Sequence, residues 1–349
     1  MRILVIGGNG FIGRFLMPRL VQPGHEVAVL QRASSQRPRI PGATEILGDR
    51  NDLASVAPPL RAFAPDVVID LILSSERQAR TLMQVFRGVA GHVVAISSID
   101  VYRACGVLHG LEEGPLEPVP LREESALRTK LQTYPPEQIR TLQQIFHWLD
   151  DDYDKIPVEA AVLGDPTLPA SVLRLPMIYG PGDRLHRFHG MIKRMHDNRP
   201  AIIMQESWAA WRSPRGYVEN VAATIALAAT SGGKANRVFN VAESESLSEL
   251  EWARRIADVV GWGGYFIVMS DEETPAHLRI PGNLKQHWSV DTSRIRKELG
   301  YREPVEQTEC ILRTVEWELA NPPTQVDASA FDYEAEDAVL GKTSGAYSA

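Results

Sequence analysis

Short apolar runs alternate with helical patterns through the first half of the chain. Arg2–Ile6 (RILVI), Glu26–Leu30 (EVAVL), Asp66–Leu71 (DVVIDL) and His92–Ser97 (HVVAIS) are rich in Val and Ile. They lack the polar alternation of a half-exposed strand, so each predicts a strand of a parallel sheet covered on both faces. Segments with helical spacing separate them, the first being Phe11–Val21. Strand–helix alternation implies right-handed crossovers and a doubly wound, Rossmann-type α/β fold. Ser171–Leu175 (SVLRL) and Arg237–Val241 (RVFNV) read as later strands of the same sheet, and Leu247–Val260 as a helix with Ser248 as its N-cap.

The rhythm loosens between Gly106 and Asp150, where Pro115, Pro118, Pro120, Pro135 and Pro136 predict a long, partly irregular insertion near the site. Residues 180–212 and 247–320 are expected to form a smaller substrate lobe. Residues 1–179 and 213–246 would form the main α/β domain. From Asn321 the chain passes through Pro322 and Pro323 into an acidic tail, 321–349.

Composition narrows the function classes. The chain of 349 residues has a net charge of −7 and no basic stripe, which argues against a nucleic-acid partner. Two cysteines, Cys105 and Cys310, make neither a disulfide framework nor a metal cage and suggest a reducing compartment. No apolar stretch approaches a membrane span and no signal peptide is recognisable, so a cytoplasmic protein without a membrane partner is expected.

The strongest chemical signal is the turn Gly7-Gly8-Asn9-Gly10-Phe11-Ile12-Gly13, set between the first strand and the first helix. Glycines there permit a tight turn, close approach of backbone N–H groups to a pyrophosphate and close helix–strand packing. The helix N-terminus turns its positive dipole end on the phosphates. The second strand ends Leu30-Gln31-Arg32, with no carboxylate to hold a ribose 2′-hydroxyl or repel a 2′-phosphate. Arg32, with Arg37 as a second candidate, would pair with that phosphate, which favours NADP over NAD. The competing reading makes both arginines solvated loop charges. Asp49 is placed either to accept from the adenine amino group or to cap its own loop.

With these residues in place, the chain resembles the extended short-chain dehydrogenase/reductase family, in its NAD-dependent epimerase/dehydratase group, over residues 1 to about 318. The resemblance rests on Gly7–Gly13, Ser97–Tyr102, Lys155 with Glu159, Arg174–Gly182, Arg215–Val218 and Phe239–Val241. It implies a hydride-transfer site in which Ser98 holds the substrate oxygen and Lys155 binds the nicotinamide ribose. Asn9, Gly10, Phe11, Ile12 and Leu71 would line the dinucleotide, and the loop with Pro176 and Ile178 would meet the carboxamide. Tyr102, Arg215 and His287 would contact substrate. A homodimer is also implied.

The chain departs from the family pattern at the catalytic tyrosine. Four residues before Lys155 stands Asp151. If that segment is helical, a four-residue step aligns Asp151 with Lys155 and sends Tyr153 to the opposite face. Asp151, with a reference pKa of about 3.9 against about 10 for tyrosine, would accept a proton but not readily donate one. The rival reading makes the acidic run Asp150–Asp154 a solvated helix start. At the place of an expected arginine, His287 weakens a diphosphate clamp. His186 and His189 read as surface or substrate-lining residues, not a metal site, and Trp208 and Trp211 as core. The expectation is an NAD(P)-dependent oxidoreductase or redox isomerase acting on a small polar, sugar-nucleotide-like molecule. The alternatives are a catalytically impaired dinucleotide sensor of the same fold and, ranked last for want of a basic stripe, an RNA-associated relative of the superfamily.

Overall fold

The structure is a computed structural model and describes residues 1–32, 39–232 and 236–346; Arg37 lies outside them. The apolar runs become β1 (Arg2–Ile6), β2 (Glu26–Gln31), β3 (Ala43–Leu47), β4 (Val67–Asp70), β5 (His92–Ser98) and β6 (Ala170–Leu175). Three short strands follow, β7 (Met177–Tyr179), β8 (Ala201–Gln205) and β9 (Arg215–Tyr217), then β10 (Arg237–Asn240) and β11 (Tyr265–Met269). Seven strands form one parallel sheet in the order β10-β6-β5-β4-β1-β2-β3. The expected strands are all present. Residues 43–47, which alternate in exposure, form the sheet edge.

Each central strand is apolar on both faces because each face packs on helices. On one side Ile3, Val5, Val29 and Ile69 meet Leu16, Met17 and Leu20 of α1 (Gly13–Val21) and Ile225 of helix Val218–Thr230. On the other, Leu4, Ile6, Val68 and Val93 meet Leu60 of α2 (Ala57–Phe63), Leu82 and Phe86 of α3 (Glu76–Phe86), and Val158 and Val162. The order of strand connection reverses between β1 and β4, which opens the crevice where such sheets bind ligands.

The 106–150 stretch opens in the last turn of α4 (Arg103–Leu108) and beyond it is irregular except for α5 (Pro136–Ile145). A separate apolar cluster of Tyr179, Phe188, Trp252, Ile256 and Ile311 joins segments from the second half of the chain, beside the two-stranded β8–β11 sheet. Helix Glu249–Val260 carries the expected Ser248 cap, closed into a capping box by Glu251. The described part of the acidic tail, 321–346, is folded. Residues 333–346 are helical, and Glu336, with no exposed surface, pairs with Arg194 at 2.8 Å and His277 at 3.2 Å. Glu336 and Asp337 of the tail are counterions of Arg194 and Arg199. Among the described residues no helix is long and apolar enough to cross a membrane.

Candidate active site

A cavity of about 900 Å³ opens along the C-terminal ends of β1, β2, β4, β5 and β6. The glycine turn forms its floor. Gly7 adopts φ +88°, open to glycine at little cost, and Gly10 N–H donates back to Gly7 O at 2.9 Å. A Cβ on Gly13 would stand 2.2 Å from Gly8 O, so only glycine lets α1 start that close to the strand. The result is a backbone cradle facing the cavity, beside Asn9, Phe11 and Ile12. Asn9 Nδ2 donates to Gln31 Oε1, tying the turn to the end of β2.

Arg32, exposed, follows on the rim. Asp49 also lines the cavity, and its Oδ1 accepts from Asn51 N–H at 2.8 Å, so it caps its own loop. Leu71 closes the wall beside β4. Pro176 and Ile178 line the far end, just after the end of β6.

Two polar residues sit at the ends of β5 and at the following crossover. Ser98 lines the cavity while its Oγ accepts from Asp100 N–H at 3.2 Å, so it caps a turn and still presents its hydroxyl. Lys155 is buried, and its ammonium donates to Leu73 O and, at 3.1 Å, to Ile96 O. Burial pulls its pKa down to about 8, against the opposing pull of the Asp100, Asp70 and Glu159 carboxylates.

The segment before Lys155 overturns the helical expectation. Helix α6 (Lys155–Leu163) begins only at Lys155, because Asp154 is its N-cap, extended at φ −159° and ψ 134°, with its carboxylate accepting from Ile156 N–H. Asp151 lies on an exposed turn, bonded to Gln143 Nε2 at 2.8 Å, and does not line the cavity. In extended backbone a two-residue step returns to the same side. Tyr153 therefore faces the cavity with Lys155, whose Nζ lies 5.6 Å from its ring.

Tyr153 Oη lies 3.0 Å from Asp100 Oδ2, and Tyr134 Oη is 3.5 Å from the same oxygen. Asp100 is 2% exposed, and burial pushes its carboxyl above the usual range. Both phenols are pushed up by burial and then by Asp100. Neither Asp100 nor Tyr134 was anticipated as a site residue. Asp100 stands inside the Ser97–Tyr102 motif and was visible there. Tyr134 arrives from the irregular insertion and has no local signature.

The three expected substrate contacts lie elsewhere. Tyr102 is wholly buried, its hydroxyl donating to Asn240 Oδ1 at 2.6 Å under the Arg174 guanidinium. Arg215 is closed by the Glu249 carboxylate and packs over Phe188 and Trp252. His287 Nδ1 takes the Arg212 N–H at 3.2 Å, and burial lowers its pKa, which keeps the ring neutral at pH 7. None of the three lines the cavity; Tyr102 and Arg215 are buried and His287 is half-buried. Trp208 and Trp211 stack at 5.1 Å, with Trp211 in the core. His186 pairs with Glu318 at 2.7 Å. Among the described residues no group of three or more His, Cys, Asp or Glu could hold a metal ion.

A model of the NAD dependent epimerase/dehydratase family matches residues 3–242. The chain is 29% identical over 147 residues to the chloroplast stem-loop binding protein of 41 kDa b of Arabidopsis thaliana, spanning 37% of this chain and 39% of that protein. It is 32% identical over 119 residues to a UDP-glucose 4-epimerase of Klebsiella pneumoniae, spanning 31% of this chain and 84% of that sequence. The fold is similar to that of the Bordetella bronchiseptica enzyme WbmG, in complex with NAD and UDP, with a TM-score of 0.68 at 18% identity over 93% of this chain and 96% of the other.

Proposed function

The chain belongs to the NAD-dependent epimerase/dehydratase family, and on that premise we propose that it binds a nicotinamide adenine dinucleotide, NADP in preference to NAD, and transfers hydride to or from a hydroxyl-bearing carbon of a small polar substrate. The observation that carries this reading is the continuity of one cavity from the glycine turn, past Gln31, Arg32 and Asp49, to Ser98, Lys155 and Pro176–Ile178. An elongated dinucleotide has the shape of that path. The cradle of backbone N–H groups at the start of α1 suits its pyrophosphate. Arg32 suits a 2′-phosphate, and residues 30–38 contain no Asp or Glu to oppose it. The bound nicotinamide would supply hydride transfer; the protein's part is to hold substrate oxygen at Ser98 and to place a cation, Lys155, beneath the reacting end.

The substrate is read as smaller than a nucleotide sugar. A diphosphate clamp needs bidentate cations, and Arg215 already answers Glu249 while His287 is neutral and accepts the Arg212 N–H. A second reading, a dinucleotide sensor without turnover, is favoured by one observation: the residue four before Lys155 is an exposed aspartate.

The test is parallel calorimetric titration with NADPH and NADH, followed by a screen of small hydroxy and keto compounds for cofactor absorbance change. Tighter NADPH binding with turnover is expected. Binding without turnover of any compound would favour the sensor, and binding of neither dinucleotide would end both readings.

A further inference from the structure

Asp100 is a buried carboxyl with unusual company. Its Oδ2 is shared by two phenols, Tyr153 at 3.0 Å and Tyr134 at 3.5 Å, and among the described residues its Oδ1 has no hydrogen-bond partner. The nearby cations are engaged elsewhere. Arg128 spends its guanidinium on Asp154 and on the backbone oxygens of Asp100 and Lys130. Lys155 donates to two backbone carbonyls. An ionised carboxylate buried with an unbonded oxygen and no direct cation is costly. A protonated one in that place donates to a phenol oxygen and leaves the phenol O–H for another acceptor.

That acceptor lies in the cavity. Tyr153 lines it together with Ser98 and Lys155, whereas Asp100 is sealed behind the ring. We propose that Asp100 and Tyr153 form a proton relay, with neutral Asp100 donating to the Tyr153 oxygen and Tyr153 donating to the substrate oxygen held at Ser98. Tyr153 is the catalytic residue and Asp100 the positioning and recharging one. As the substrate carbonyl carbon gains hydride from the reduced dinucleotide of the proposed function, its oxygen takes the Tyr153 proton. The Tyr153 O–H bond breaks, a substrate O–H bond forms, and the Asp100 proton re-forms the phenol. Asp100 ends as a carboxylate among the Lys155 and Arg128 charges. Alcohol oxidation runs the same transfers backwards. This relay answers the loss of tyrosine at position 151 with a phenol two residues later, made possible by the extended backbone at Asp154.

The relay rests on the dinucleotide reading but is tested apart from it. The measurement is infrared spectroscopy of the full-length protein at neutral pH in the C=O stretch region of protonated carboxyls, as difference spectra in water and deuterium oxide. Wild type minus Asp100→Asn isolates residue 100 from other buried carboxyls such as Glu123, Glu243 and Glu318. The expected result is a protonated-carboxyl band that shifts on deuteration, moves in Tyr153→Phe and moves less in Tyr134→Phe. A flat wild-type minus Asp100→Asn difference overturns the relay, because Asp100 would then be ionised. A band indifferent to Tyr153→Phe overturns it equally. Tyr153→Phe leaves Asp100 in place, so the second arm survives if Asp100→Asn does not fold. Wild-type titration with NADPH, run on the same sample, reports separately on the dinucleotide reading.

Discussion

Arg215 and Glu249 lie 2.6 Å apart, nitrogen to oxygen, with side chains only 10% and 8% exposed. The guanidinium that family resemblance assigns to substrate is thereby neutralised inside the protein. Removing one partner of a buried pair leaves the other charge unanswered, at a cost of about 3–5 kcal/mol, whereas replacing both with apolar residues is often neutral. Arg215→Met is expected to lose stability on that scale in denaturant unfolding, and Arg215→Met with Glu249→Leu to recover most of it. NADPH affinity of the folded variants should stay within about twofold, since neither residue lines the cavity. A loss of NADPH or UDP affinity without a loss of stability would return Arg215 to the ligand.

Asp151 gives the opposite expectation from the one its place in the sequence suggests. Its carboxylate is on an exposed turn and accepts from Gln143 Nε2. Asp151→Ala and Asp151→Tyr should both leave NADPH affinity unchanged and stability within about 0.5 kcal/mol, as for surface changes generally. A new or faster turnover in Asp151→Tyr would show that this turn folds toward the reaction.

The fold was legible because buried parallel strands write themselves as unbroken Val and Ile runs, and the dinucleotide cleft because its glycines are fixed by backbone geometry. Gly13 has no room for a Cβ, so the residue type itself reports the close approach of helix to strand. The segment before Lys155 departs from the expected helix, which starts only after Asp154. Asp154 before Lys155 is a good N-cap signal, and reading it would have moved Tyr153 rather than Asp151 into the site. Other features depend on tertiary pairing and leave no local trace. Tyr134 meets Asp100 across 34 residues, and Glu336 finds Arg194 across 142, which turned an acidic tail into a docked helix.

Lys155 makes stability depend on pH with a defined sign. Its folded pKa is down at about 8, from an ordinary value of 10.5. Below about pH 8 both folded and unfolded chains hold the proton, and the burial penalty is at its fullest. Between the two values the unfolded chain binds the extra proton, so stability rises with pH across that window. Melting temperatures of wild type and Lys155→Met, compared from pH 6.5 to 10.5, should differ by a constant amount up to about pH 7.5 and then shift in favour of wild type. A pH-independent difference throughout would mean that Lys155 keeps its proton when folded.

The proposed preference for NADP rests on Arg32. It stands at the end of β2 on the rim of the cavity, where the ribose of the adenosine half would lie, and the Asn9–Gln31 bond holds the strand end beside the glycine turn. A guanidinium pairs with a 2′-phosphate through parallel N–H bonds and has nothing comparable to offer a 2′-hydroxyl. Charge-assisted bonds of this kind contribute about 1.5–3 kcal/mol, which is roughly 10- to 100-fold in affinity. Arg32→Ala should therefore weaken NADPH by at least tenfold and leave NADH within about twofold, removing the preference. Arg32→Lys should keep charge attraction but lose the paired geometry, and fall between the two. If Arg32→Ala weakens both dinucleotides alike, the arginine steadies the rim and the 2′-phosphate is read elsewhere. If it changes neither, the arginine is a solvated charge and NAD becomes the expected cofactor.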